Sequence, residues 1–593
     1  MTRFRQICGR IAVALTALTA FLLPVKFGGI AGLPELPGYY PPGLLDWLIV
    51  SWPITLLPLF AGIAQIPTLY GTELRRNPWR VKLFSVLWLC GPLLAAWWGF
   101  ENSSASAGVG EAAAFGWSHL MHWWGLAVWG VCVLLLLADD PRRRRILIGA
   151  LLCGTFVSVL NGWYQYLWGF AETRRYYAEL EAAGGVEVGE QLWIKLNDDR
   201  VFATFASCNG FAGFLLLAGA LLVVGAVKLG DRFEPRRLSR RIFGVAAAVL
   251  TFGLLPLTRS RGALLCALAA ALGAFFASRL PKKAKFAAAF AAVLLLVAGA
   301  WYVHRAGRGF SSGAERLDYL ATAAKLVAAH PVTGSGWNGF FREHMRVKST
   351  GTDEAAHDPH HFVAAFAAAG GVPAGMIALA AFVLPFFFIF RNYRAAPPWR
   401  KAAVWGIAAF SLHMLMEMDY LVPGSVAAYL LLAISLLVPD EAAPPKQMPK
   451  FLRVLWLVYI PILCGVLLIF PVLNLRGDLA YARFCAVVVP EPGTRWIPPA
   501  PERIDAELDN VRNLSLVPSS PFPLEKAAEC CAAIGLPNQA RKLLREALSE
   551  GGERPGVYRK LADLAERAGD ADEARHCRRR AHELFPAKYP AAR

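Results

Sequence analysis

The chain has no Cys-x-x-Cys pair among its eleven cysteines, so neither a zinc ribbon nor a disulfide framework is indicated. It is also poor in charge. Only 18% of its residues are Asp, Glu, Lys or Arg against 56% hydrophobic, too apolar for an ordinary soluble globule. The first apolar run follows Arg3, Arg5 and Arg10 as in a secretory leader, but no small-residue cleavage pattern comes after it. Pro24, Lys26 and a Gly/Pro-rich run intervene, so it reads as an uncleaved signal-anchor helix. Three short loops, 28–43, 100–116 and 419–423, contain no Lys or Arg at all. A net charge of +18 would suggest nucleic acid in a soluble protein. Here the basic residues crowd into the other short loops, which is the signature of membrane topology, and no nucleic-acid partner is implied.

What is present is a series of apolar stretches near 11–27, 44–63, 83–100, 117–137, 146–168, 209–227, 242–257, 262–278, 286–303, 361–390, 402–418, 424–438 and 454–473. A hydrocarbon core is roughly 30 Å thick, and these predict an all-α, polytopic bundle of about 13 transmembrane helices over residues 1–475. Basic clusters at Arg75–Lys82, Arg142–Arg145, Arg232–Arg241, Lys282–Lys285, Arg391–Lys401 and Lys446–Arg453 all fall on one side, placing the N-terminus in the cytoplasm. Two long loops, 170–208 and 304–360, then lie outside. Within the second, Leu317, Leu320, Ala324 and Val327 share one face of a helix that His330-Pro331 ends. Thirteen spans also put residues 476–593 outside, provided that 402–438 is split at the polar break Met418–Gly424.

That tail is charged and Ala-rich. Gly535 recurs as Gly569, Ala540 as Ala574 and Ala547 as Ala581, each 34 residues on, which is the tetratricopeptide (TPR) period. A TPR-like helical array, or a plainer set of helical hairpins, reads as a docking surface for a protein partner. Cys530, Cys531 and Cys577 fall at helix-packing positions, which favours buried free thiols over a disulfide, although an oxidising compartment would permit the latter.

Three segments carry chemistry. In His357-Asp358-Pro359-His360-His361-Phe362, three imidazoles lie at the mouth of the tenth span. Imidazole there can exchange protons near neutral pH. A zinc loop of His357, Asp358 and His360, or interfacial polar residues with no chemistry, are the alternatives. Thr258-Arg259-Ser260-Arg261-Gly262-Ala263 puts two arginines in a tight turn on the side that otherwise avoids them. Guanidinium forks suit a diphosphate, though both could also snorkel to water. Arg200 to Asn209, leading into the sixth span, is weak alone, and the acidic pair Asp198-Asp199 before it has little weight as a metal site.

Together these segments resemble the O-antigen ligase superfamily, which includes O-antigen ligases, O-antigen polymerases and protein O-oligosaccharyltransferases. Residues 200–215 resemble its R-x-x-x-T-F-x-x-x-N element, and 258–263 its S-R-G-A turn. Residues 315–340 resemble its R-x-x-x-W…P-x-x-G-x-G stretch through Arg316, Pro331, Gly334 and Gly336, with Tyr319 in place of Trp. His360 and Gly371 match its H-N-x9-G element, where His361 replaces Asn and the second glycine, Gly375, comes one residue late. The resemblance spans about 200–440, and TPR-like tails are known on members.

The resemblance implies a metal-independent, inverting glycosyltransferase with no cofactor, acting on a glycan carried by undecaprenyl diphosphate at the periplasmic face of the bacterial inner membrane. His360 would be the catalytic base, with His357 and His361 as possible accessories. Arg259, Arg261, Arg200 and Arg316 would bind the diphosphate. The acceptor could be lipid A–core, a growing polysaccharide or a protein, and membrane lipids surround the site. A lipid-glycan transporter or flippase, and a non-catalytic membrane anchor for a TPR scaffold, are the competing functions.

Overall fold

A computed structural model describes residues 2–30, 91–105, 109–182, 197–233, 237–278, 311–348, 356–390, 393–438, 476–488 except 478, 499–514 and 521–590, with a few isolated positions. Among the described residues the chain is helical, with one isolated bridge between Gly28 and Phe205. The helices of the membrane part are α1 (Thr2–Lys26), α2 (Gly91–Ala105), α3 (Val109–Asp139), α4 (Arg144–Tyr164), α5 (Phe170–Ala182), α6 (Cys208–Phe233), α7 (Arg237–Phe252) and α8 (Arg261–Ala277). They continue with α9 (Ser311–Ala329), α10 (Gly339–Val347), α11 (Phe362–Ile389), α12 (Pro398–His413) and α13 (Pro423–Leu437). Six helical stretches among the described residues are long and apolar enough to cross a membrane, and α8 and α13 are shorter apolar helices. The protein is multi-pass. The expected spans 44–63 and 286–303, and nearly all of 454–473, lie outside the described residues.

α13 is apolar on every side, and residues 424–435 are buried throughout, as an all-round apolar helix must be. It packs among α1, α3, α6 and α12. Helix ends then converge on one end of the bundle. Gly424 N–H donates to Phe27 O at 2.9 Å, Phe362 N–H to Met414 O at 3.0 Å, Val201 N–H to Leu257 O at 3.1 Å and Ala206 N–H to Gly28 O at 2.9 Å. At the opposite end Arg144 donates to Val438 O at 2.6 Å. The chain therefore reverses between α12 and α13, as the split at the polar break requires. The break starts earlier than its sequence suggests. α12 stops at His413, and residues 414–422 leave the helix, with a 3-10 turn at Met418–Leu421, because Glu417 and Asp419 are drawn into polar contacts.

α11 is a broken helix. Gly370 and Gly371 leave helical geometry, Gly371 with φ +71°. The backbone groups freed there are taken by the loop after α9. Ser335 N–H donates to Ala368 O at 2.9 Å, Gly336 N–H to Ala369 O at 3.0 Å and Val372 N–H to Pro331 O at 2.8 Å. A break at membrane depth persists only when protein partners satisfy the freed groups in this way.

α9 forms as expected, but its rotation is set by polar contacts. Thr322, Ala323 and Leu326 are buried, while Leu317 (69% exposed) and Leu320 face outward.

The tail holds Pro501–Leu514 (α14) and two hairpins, Phe522–Ala533 with Pro537–Gly551 (α15, α16) and Pro555–Arg567 with Ala571–Leu584 (α17, α18). The turns match 34 residues apart. Gly535 and Gly569 have φ +82° and +77°, Leu536 N–H donates to Cys531 O at 2.8 Å, and Asp570 N–H donates to Ala565 O at 2.9 Å. Ala540, Ala547, Ala574 and Ala581 are buried between the helices, and Cys530, Cys531 and Cys577 are buried free thiols. α18 packs on α10, α16 on α3, and Phe522 joins the apolar core of the membrane helices. The tail thus sits at the end of the bundle where α9 to α11 meet.

A Cβ on Gly371 would lie 2.6 Å from Pro331 O, in a backbone region that L side chains rarely adopt. Gly371→Ala is expected to lower stability by about 1–3 kcal/mol, read as thermal unfolding in detergent. An unchanged midpoint would contradict the docking of this loop on the break.

Candidate active site

His360 is held in a strained backbone conformation, φ +54°. Asp358 fixes it by accepting the His360 N–H at 2.8 Å and the hydroxyl of buried Tyr420. Burial pushes the Asp358 carboxyl above its ordinary range, against the opposing pull of the His360 ring and of these hydrogen bonds. The imidazole stacks on Tyr319 of α9, with centroids 5.3 Å apart, and its Nδ1 lies 3.2 Å from Glu417 Oε2.

Glu417, 4% exposed, is the hub of the site. Its Oε1 accepts from Asn209 Nδ2 at 2.9 Å and from the Arg316 guanidinium, whose Nε also donates to Met416 O at 2.9 Å. Burial opposes its ionisation. The hydrogen bond from His360 and the charges of His360, Arg316 and His413 outweigh that and hold it below the usual carboxylate range. Asn209 in turn accepts from Arg200 at 3.2 Å, and Arg200 also donates to Thr258 O at 3.1 Å. Asp198 lies 3.7 Å from Arg200 and 3.1 Å from Arg259. One polar chain therefore runs Arg259–Asp198–Arg200–Asn209–Glu417 and forks to Arg316 and His360.

Four of the five main sequence candidates are on that chain. Arg261 is not. It opens α8 beside Arg259, is exposed, and makes no ion pair or hydrogen bond among the described residues. His361 and His357 have partners other than those of His360. His361 caps α11, its Nδ1 accepting the Ala364 N–H at 3.2 Å, and burial lowers its pKa. His357 stacks flat on Phe341 at 3.8 Å and lines a small cavity with His119, Trp337 and Asp358. His357, Asp358 and His360 thus point at different partners, and no cluster of three metal-ligating side chains occurs among the described residues.

Sequence reasoning passed over Glu417, Asp198 as an arginine partner, and Tyr319 as a stacking partner. The available signal for Glu417 was an acid within an apolar stretch of two spans, which marks function in a membrane protein. The only non-glycine residues with positive φ among the described residues are Asp199, Ala203, Arg259 and His360. All lie in or beside this chain of contacts, and strain of this kind concentrates at functional sites.

Residues 246–379, less than half of the chain, match the profile of the family described as O-antigen ligase. The matched stretch contains Arg259, Arg261, Arg316 and His360 but neither Arg200 nor Glu417. The match implies a ligase-type glycosyltransferase, an enzyme whose substrates are lipid-linked glycans. No curated protein and no solved structure matches the chain.

Because the pKa of Glu417 is lowered on folding, the stability it contributes is complete above the ordinary value of about 4.3. That stability is lost as the pH falls through the depressed value. Glu417→Gln removes this dependence. Between pH ~6 and ~3 the thermal midpoint of the wild type should therefore fall further than that of the variant. Parallel curves would contradict the ionised hub.

Proposed function

We propose that the protein transfers a glycan from undecaprenyl diphosphate to an acceptor hydroxyl at the periplasmic face of the bacterial inner membrane, with inversion at the anomeric carbon. The observation that carries this reading is the contact between His360 Nδ1 and Glu417. An ionised carboxylate can only accept, so Nδ1 carries a proton toward Glu417, and in the neutral form of the ring the lone pair then lies on Nε2. His360 is thereby a base with one free nitrogen and a fixed ring. As the acceptor oxygen attacks, its bond to the anomeric carbon forms while the carbon–oxygen bond to the diphosphate breaks. The bonding pair leaves with the diphosphate, and the acceptor proton passes to Nε2. A single displacement inverts the centre.

Charge on the leaving group is met by Arg259 and Arg261, with Arg200 and Arg316 beside them. Asp198 and Glu417 hold three of these guanidinium groups in place before substrate arrives, which is the preorganisation that makes such stabilisation effective. Four guanidinium groups against these two carboxylates leave two positive charges, matching a diphosphate diester and supplying the charge that a metal ion would otherwise bring. Hydroxyls of lipid A–core, of a growing polysaccharide or of a protein all suit this chemistry, and a TPR-like tail beside the site could hold a protein partner. A transporter or flippase would use the arginines but has no need of an imidazole whose ring proton is fixed. A non-catalytic scaffold needs neither.

At equal expression, His360→Ala should lower transfer from lipid-linked donor to acceptor by about 10²–10⁴-fold. Transfer at the wild-type rate would reject the base. Arg259→Ala with Arg261→Ala should raise the donor KM more than that of the acceptor. A reporter fused at the C-terminus should be active only in the periplasm, and cytoplasmic activity would reverse the proposed orientation.

A further inference from the structure

The stretch that carries Arg200 and leads to Asn209 has little regular structure of its own. Residues 199–207 precede α6, with Asp199 and Ala203 both in the left-handed region at φ +49° and +50°. Besides the contacts with Gly28 and Leu257, the segment around the α4–α5 junction reaches across to it. Arg174 of α5 pairs with Asp199 at 2.5 Å. Between α4 and α5 the helix widens into a π-helical turn, Gln165–Gly169, and its first residue turns its side chain onto the stretch. Gln165 Oε1 accepts the N–H of Phe202 and that of Ala203, each at 2.9 Å. One carbonyl oxygen thus satisfies two consecutive backbone donors at a strained turn, an arrangement that needs both lone pairs of a fixed acceptor. π turns inside α-helices recur at functional sites because the extra residue re-aims side chains, as here.

We infer that Gln165 is a positioning residue for glycan transfer. Its Oε1 fixes the turn at Ala203, and that turn sets where Arg200 and Asn209 meet Glu417, and through Glu417 where the His360 ring points. The role in transfer rests on the function proposed above; the hold on the turn does not. Without the acceptor, the two N–H groups turn to other partners and the backbone relaxes out of the left-handed region. Misplacement by about 1 Å remote from the chemistry can cost about 100-fold in rate.

The test uses the full-length protein in lipid nanodiscs with lipid-linked donor and acceptor. Gln165→Leu keeps the bulk but removes the acceptor, whereas Gln165→Glu keeps an oxygen that can take both N–H groups. Expected for Gln165→Leu is a fall in kcat of about 10–100-fold with little change in donor KM, and faster hydrogen exchange confined to amides 201–205. Gln165→Glu should restore both. Wild-type kcat in Gln165→Leu, or no rescue by Gln165→Glu, overturns the inference, as does unchanged exchange. If Gln165→Leu fails to fold, Gln165→Asn, too short to reach both amides, takes its place under the same criteria. His360→Ala run alongside separates the two claims. Transfer that survives in His360→Ala defeats the base assignment while the exchange measurement still decides whether Gln165 holds the turn.

Discussion

A carboxylate buried at the end of a membrane helix bundle must find its partners within the protein, because desolvating an isolated charge costs far more than the fold can spare. Glu417 finds three, from three different elements: Asn209 at the start of α6, Arg316 on α9 and His360 before α11. Much of the local architecture follows. α12 ends at His413 so that the segment after it can carry Glu417 inward, and α9 is turned so that Arg316 and Tyr319 face the site. The outward apolar stripe of α9 follows from that rotation.

His360, proposed as the base, and Arg316, proposed to bind charge, are tied together through the same carboxylate. Removing Glu417 frees the His360 ring and leaves Arg316 without its counter-ion. The position of the His360 ring and the arrangement of charge around it are therefore not independent properties of this candidate site. The tail is tied to the same end, through Phe522 in the membrane core and α18 against α10. α10 carries His344, a buried ring whose pKa burial lowers to about 4, packed edge-on against Tyr319 at 5.0 Å. The tail is thus held one helix away from the residue that stacks on His360.

Much of this was legible in the sequence. Hydropathy located the six helical stretches long enough to cross a membrane, and the reversal after α12, though not its early start at residue 414, was readable from Asp419, Pro423 and Gly424. His360, Arg316, Arg259 and Arg200 were legible because their motifs are local. Glu417 was not. Its partners lie 57, 101 and 208 residues away, so only the folded chain shows that one carboxylate joins them. The rotation of α9 was also hidden, since periodicity reveals an apolar face but not whether that face turns to protein or away from it. His361 illustrates a third limit. A histidine at a helix start reads as chemistry, and here its lone pair serves as a cap. The tail's 34-residue period reappears as two matching hairpins, because small residues at fixed positions are what close helix packing needs.

The broken helix α11 acts as a calibrated spacer. One end follows His360 and is anchored to Glu417 and to Met414; the other is anchored at Gly371 to the loop carrying Pro331. Between them, residues 362–369 form an uninterrupted helical run of about 12 Å at ~1.5 Å per residue. Each residue added or removed would shift one anchor by that rise and rotate it by about 100° against the other. Side chains along this run can be exchanged within the limits of packing, but its length cannot. The separation of His360 from Gly371 is set in whole residues by the phase of the helix.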